Sequence, residues 1–297
     1  MFRKLFILVI PALLMVSCSR DEKTIGSLKN PMVMGISKSY YEHLSPNDLT
    51  MLETKISNDL KINFKIKTFD DSVRFIESIG NKDVDVAFLT LNEYLIAREE
   101  FKVFPALQVL RGKGENKYYG IIASLNNDIK NLKDIDGKKF AARNEYSIAS
   151  FVLPSILFFK GNIKPEFVFS GSYDDSYNML KNGKADAAGF YKTFLNDHKD
   201  LNVIYEIGPI PNEPVICRKS LDTELCNSVK KELMNLVSDD EYVKIINSMA
   251  DITGFSEADI SEYKEIHQTI LNNSNGIYSL VPDGIKIRKL LEDYNFN

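Results

Sequence analysis

Three consecutive stretches limit the fold of this chain most. NFKIKTF, from Asn63, alternates apolar and polar residues; DDSVRFIESIG, from Asp70, spaces its apolar residues by three and four; DVDVAFLT, from Asp83, is a nearly continuous apolar run. A period of two, then one near 3.6, then a short buried run reads as strand, helix, strand, with Asp70 or Asp71 capping the helix. The same alternation precedes them, in the apolar run PMVMGIS and the helix-spaced NDLTMLETKISNDL. The first third therefore predicts βαβαβ. Strands separated by helices imply parallel pairing, helices on both faces, and ligands at the carboxyl ends of the strands.

The scheme recurs from Tyr118 to about Ile207. KYYGIIASL reads as a strand, KNLKDIDGKKFAAR as a short helix and a turn running into a strand, and SIASFVLPSILFFKG as a helix. EFVFSGS, DDSYNMLKNG and ADAAGFY then give strand, helix and strand. In IGPIPNEPVICRKSL the prolines break the pattern before a further strand and two C-terminal helices, which most simply return to the first unit. The last stretch, NNSNGIYSLVPDGIKIRKLLEDY, reads as a loop and an amphipathic helix.

Charge and the N-terminus define the setting. A net charge of -4 with no basic block excludes nucleic acid as a partner, because phosphate-backbone binding needs clustered Lys and Arg. Residues 1–17 carry Arg3 and Lys4, an apolar run from Leu5 to Val16, then Ser17 before Cys18. That run is shorter than the roughly 20 residues of a spanning helix and has the order of a secretory signal. Cys18 directly after a small residue resembles a bacterial lipobox, with Met15 where that motif prefers Leu. It implies an exported chain whose acylated Cys18 anchors it to the bilayer; a plain signal peptide cut nearby is the other reading. Residues 18–30 are polar and are expected as a tether. Cys217 and Cys226 form no CxxC or zinc spacing. Export would allow a disulfide, but two free buried thiols are the favoured expectation. His43, His198 and His267 stand far apart, so no metal site is expected.

The run KNLKDIDGKKFAARNEYSIASFVLPSILF, then FVFSGSYDDSYNMLKNGKADAAGFY, IGPIPNEPVICRKSL and ITGFSEADISEY, resembles the phosphate/phosphite/phosphonate substrate-binding proteins of ABC importers. Three marks carry the likeness together: Ser-Gly-Ser before a helix at Ser170, Asn-Gly-Lys-x-Asp-Ala at Asn182, and Ile-Pro-Asn-Glu-Pro at Ile210. The resemblance implies an α/β fold of the two-lobed periplasmic-binding-protein type (type II), with two crossing segments and a central ligand cleft. It places one lobe at 31–117 plus 214–297 and the other at 118–213. It implies a small anionic ligand, an ABC permease as membrane partner, no cofactor, no catalysis and a monomer. A ligand-sensing surface lipoprotein on the same scaffold is the alternative.

Candidate ligand residues follow from the strand ends. Ser147 precedes the apolar helix and can cap it or bind an anion at its N-terminus, with Ser150 close behind. Arg143 can offer a bidentate fork or, as the favoured reading, pair with Glu145 at the surface. Tyr40, Tyr94, Tyr173 and Tyr191 fall near strand ends and as a set would give aromatic walls with hydroxyl tips, with packing the favoured reading for any one of them. Departures from the family stand beside these. Ile148 and Ala149 follow Ser147 where the family carries Ser-Thr-Ser, Ser72 stands in place of a tyrosine, and Tyr173 in place of a histidine of some relatives. No nucleophile elbow, P-loop or GxGxxG run suggests an enzyme. The lipobox generates one prediction: Cys18→Ala moves the protein from the membrane fraction to the soluble fraction on cell fractionation. An unchanged distribution would refute acylation at Cys18.

Overall fold

The computed structural model describes residues 22–273 and 276–287; Cys18 and the rest of the proposed signal lie outside them. The chain begins with β1 (Met32–Ser37), the short α1 (Lys38–Tyr41), α2 (Pro46–Leu60), β2 (Phe64–Phe69), α3 (Ser72–Gly80), β3 (Val86–Phe88), α4 (Leu91–Phe101) and β4 (Phe104–Arg111). It then crosses and builds β5 (Lys117–Ser124), β6 (Lys139–Ala142), α5 (Leu153–Lys160), β7 (Glu166–Phe169), α6 (Tyr173–Lys181), β8 (Ala187–Tyr191) and β9 (Asn202–Pro211). It returns as β10 (Pro214–Cys217), α7 (Thr223–Leu236), α8 (Tyr242–Ser248), β11 (Ile252–Glu257) and α9 (Ile260–Asn273).

Two sheets result, one per lobe. The six-stranded sheet has the order β11-β4-β10-β3-β1-β2 and the five-stranded sheet the order β7-β6-β8-β5-β9. The βαβ units pair in parallel as the sequence predicts: β1 with β2 and β3, and β6 with β7 and β8. The remaining pairs, β3 with β10, β4 with β10 and β11, and β5 with β8 and β9, are antiparallel. β4 carries no clean alternation in FPALQVLR and is not anticipated by the sequence reading. β9 continues through Gly208, Pro209 and Pro211, so the prolines do not end the strand where the sequence suggests. They sit on an outer strand of their sheet, where a missing N–H costs least.

Helix starts follow local chemistry. The Asp71 carboxylate accepts from the N–H groups of Val73 and Arg74, while Ser45 with Asp48 and Thr90 with Glu93 form capping boxes. The helix after β6 opens differently, with a π-helical turn over Ile148–Val152 before α5. That turn lies directly on the sheet. A Cβ on Gly189 would stand 2.5 Å from the Ser150 carbonyl oxygen, and one on Gly120 would stand 3.2 Å from the Ala149 carbonyl oxygen. At Gly189 only hydrogen lets the helix start approach so closely, and at Gly120 a side chain would be tight.

Two expectations are corrected. Residues 22–30 are not a free tether. Ile25 is buried, the Gly26 carbonyl accepts from Asn63 N, and Glu22 pairs with Arg218 and Lys82. Cys217 and Cys226 are joined in a disulfide rather than left as thiols, because α7 returns over β10 and brings their Cα atoms within 6.1 Å.

Arg218 organises this end of the first lobe. It is 3% exposed, and its Nε donates to Asp85, itself fully buried, at 2.9 Å. Asp85 also accepts from Val33 N, and its carbonyl accepts from Arg218 N. The Arg218 hydrogen bond is the main cause holding the Glu22 carboxyl down at about 2. A depressed carboxyl contributes stability above its unfolded value near 4.5 that disappears as pH falls toward 2. Arg218→Met would remove the guanidinium that faces the buried Asp85 carboxylate and is expected to cost about 3–5 kcal/mol in thermal unfolding. It should also flatten the acid limb of the stability curve between about pH 4.5 and 2. A wild-type midpoint in the variant would contradict this assignment.

Candidate ligand site

The two crossings, residues 112–116 and 212–213, run side by side between the sheets. Asn212 is buried and ties them together. Its backbone N–H donates to Asn116 O at 2.9 Å, and its side-chain amide donates to Val109 O at 3.1 Å and Glu115 O at 2.9 Å. Its own carbonyl accepts from the Tyr263 hydroxyl at 2.6 Å. Buried Gln108 donates to Asn116 O at 2.6 Å, and Arg111 pairs with Glu213. The hinge is therefore hydrogen-bonded throughout, with an ion pair beside it.

On the second lobe, the turn after β6 gathers polar groups. The Ser147 hydroxyl accepts from Ser150 N at 3.3 Å, and it lies 3.3 Å from the Tyr173 hydroxyl. The sequence left Ser147 as cap or ligand; the cap is present, and the hydroxyl remains half-exposed with Tyr173 beside it. Exposed Arg143 lies with its guanidinium carbon 5.8 Å from the Tyr173 ring centroid, a cation–π arrangement, instead of pairing with Glu145. Tyr191 packs edge-on to Tyr173 at 4.8 Å. Behind them Phe190, Phe194 and His198 stack, with centroid separations of 4.8 and 4.1 Å, and fix the aromatic wall. Burial raises the Tyr191 hydroxyl, with Tyr173 and Asp174 adding to the effect and Arg143 opposing it. Arg143, Ser147, Tyr173 and Tyr191 thus form one surface of donors and rings.

Three other candidates are placed elsewhere. The Ser150 hydroxyl accepts from Arg143 N at 3.1 Å in a fully buried position, so it braces the turn from below. Tyr94 is fully buried, takes a hydrogen bond from Arg98 and packs on Tyr263, which removes it from the cleft. Tyr40 is also buried, with its hydroxyl donating to Leu89 O at 3.2 Å and its ring edge-on to Phe88. Position near a strand end did not separate a wall tyrosine from a core tyrosine. Ile148 and Ala149 are buried against the sheet, which leaves Ser147 as the turn's half-exposed hydroxyl.

The first lobe's hydroxyls are committed internally. Glu93, 2% exposed, accepts from the hydroxyls of Ser37 and Ser72 through one oxygen, and from the N–H and hydroxyl of Thr90 through the other. Burial raises its carboxyl, with Ser72, Thr90 and Ser37 pulling it back. Those donors meet a carboxylate of the chain itself.

The sequence reading missed Tyr118, Arg111 and Glu213. Burial pushes the Tyr118 hydroxyl well above the usual tyrosine range, and the nearby Glu213 carboxylate and Tyr173 add to it. Glu213 was present in the quoted Ile-Pro-Asn-Glu-Pro mark, but its partner Arg111 ends the unanticipated β4.

This geometry, two α/β lobes on paired crossings with donors at the inner strand ends, defines a type II binding protein. The sequence profile of the family "ABC transporter, phosphonate, periplasmic substrate-binding protein" matches residues 34–263. The chain belongs to that family, whose members are the substrate-binding components of transporters.

Solved structures agree on the fold. A Xanthomonas citri protein bound to chloride ion superimposes with a TM-score of 0.68 at 17% identity, covering 81% of this chain and 97% of that one. The binding-protein component of a Pseudomonas aeruginosa ABC phosphonate transporter gives 0.58 at 18% identity over 88% and 94%. PhnD1 from Prochlorococcus marinus, in complex with methylphosphonate, gives 0.59 at 16% identity over 84% and 99%. Among the described residues no helix is long and apolar enough to cross a membrane.

Proposed function

We propose that this chain is a lipid-anchored solute-binding protein of an ABC importer that captures a small phosphonate-like anion by closing its two lobes. The single observation that carries the reading is the juxtaposition of Ser147, Tyr173 and Arg143 on one face of the second lobe. Two hydroxyl donors and a guanidinium can satisfy a tetrahedral oxyanion, with charge assistance from the arginine. Tyr191 and Tyr118 would flank the ligand's organic substituent. The commitment of Ser37, Ser72 and Thr90 to Glu93 favours a ligand held chiefly by the second lobe and the hinge.

Export and anchoring through acylated Cys18 belong to the same proposal, as does delivery to a permease by a monomer. The Cys217–Cys226 disulfide supports the exported setting, since such bonds persist in oxidising compartments. Signalling by a surface lipoprotein would use the same closure and differ only in the membrane partner.

Titration calorimetry with methylphosphonate, inorganic phosphate and phosphite tests the ligand class. One of these anions is expected to bind wild-type protein, and Tyr173→Phe should weaken it about tenfold, the effect of losing one hydrogen bond to a charged group. Arg143→Ala should weaken it further and reduce its salt dependence. Binding unaffected by either substitution, or binding only of uncharged solutes, would overturn the reading.

A further inference from the structure

Asn92 makes a connection that no ligand residue explains. It is the second residue of α4, in a first turn immobilised by the Thr90 and Glu93 capping box. Its side-chain nitrogen donates to Tyr146 O at 2.8 Å and to Leu280 O at 2.7 Å, which uses both amide hydrogens. Tyr146 belongs to the second lobe and immediately precedes Ser147. Leu280 belongs to the C-terminal segment 276–287.

That segment is bound along the first lobe. Ile277, Leu280, Val281 and Ile287 are buried in one apolar cluster with Leu91 and Leu95 of α4, and the Tyr278 hydroxyl bonds the Glu100 carboxylate. The same cluster includes Ile148, Val152 and Leu153, so the segment lies where α4 meets the helix start of the second lobe.

We infer that Asn92 is a positioning residue for the ligand turn, fastening the Tyr146 carbonyl to α4 and to the C-terminal segment as a releasable tie between the lobes, beside the crossings and the packing of α9 on α5 and β9. This rests on the reading that the Arg143–Ser147 turn receives the ligand. The two covalent crossings permit rotation but do not set its end point. When the lobes part, the bond to Tyr146 breaks while the bond to Leu280, within the first lobe, survives. The amide therefore stays aimed at the turn and re-forms its bond on closure, placing Ser147 one residue away. The turn's own bonds, Tyr146 N to the Asn144 side chain at 3.0 Å and Ser147 N to Asn144 O at 3.4 Å, keep it a unit that one tie can hold.

Hydrogen–deuterium exchange on ligand-free wild type, Asn92→Ala and Asn92→Asp tests the tie without any ligand. The aspartate keeps the shape and removes both donors, and it carries the test should the alanine variant fail to fold. Both variants are expected to exchange about tenfold faster over peptides covering residues 143–152, as loss of about one hydrogen bond implies, with the β1 peptide unchanged. Calorimetry with methylphosphonate should show affinity about five- to tenfold weaker in the same variants. Wild-type exchange at 143–152, or an equal acceleration everywhere, overturns the inference whether or not methylphosphonate binds. Failure of wild type to bind any of the three anions, with local exchange still faster in the variants, overturns the ligand reading and leaves the tie standing.

Discussion

The architecture depends on one side chain's hydrogen bonds. Asn212 sits where the second crossing begins and donates three bonds, one from its backbone and one from its side-chain amide to the first crossing, and a second from the amide to Val109 O of β4. Buried polar atoms in such a place must be satisfied, and here each of these donors meets a backbone carbonyl. The consequence is a hinge whose two strands move as one. Tyr263 in α9 extends the same network into the helix that bridges back over the lobes. Crossings fixed to each other suit the proposed closure, in which the inner strand ends of the two sheets approach and separate by rotation.

What those ends present is asymmetric. The first lobe has turned its hydroxyls inward onto Glu93, while the second lobe leaves Ser147, Tyr173 and Arg143 together at the surface. The close contact of the π-helical turn with Gly120 and Gly189 explains how Ser147 is delivered to that surface. It also explains Ile148 and Ala149. In this chain their side chains fill the space over the sheet, where a hydroxyl would require a buried partner. Substituting apolar groups at the helix start strengthens the second lobe's core and concentrates the polar chemistry on fewer atoms.

Much of this was legible from residue spacing. The βαβ units follow from the alternation of period two and period 3.6, and Asp71 is one of the two aspartates expected to cap its helix, whereas α4 and its Thr90 cap were not anticipated. The family marks specify the order of elements around the crossings, including the Asn212–Glu213 pair. The antiparallel strands were harder to see, because β4 and β9 owe their pairing to distant partners and carry weak periodicity and prolines. The same limit applies to the site. Tyr173 and Tyr94 both sit at the beginnings of helices, yet one faces the cleft wall and the other the core, and only the tertiary neighbours decide which. The disulfide and the docking of residues 22–30 likewise depend on where α7 and Arg218 come to rest.

The central claim is that an anion is held by the turn after β6 while the lobes close over it. A crystal structure of the protein grown with methylphosphonate tests this most directly. The account predicts phosphonate oxygens about 3 Å from the Ser147 and Tyr173 hydroxyls, with the Arg143 guanidinium turned from the Tyr173 ring toward the ligand. A phosphonate bound elsewhere, or bound in the cleft without contact to Ser147 or Tyr173, would contradict it.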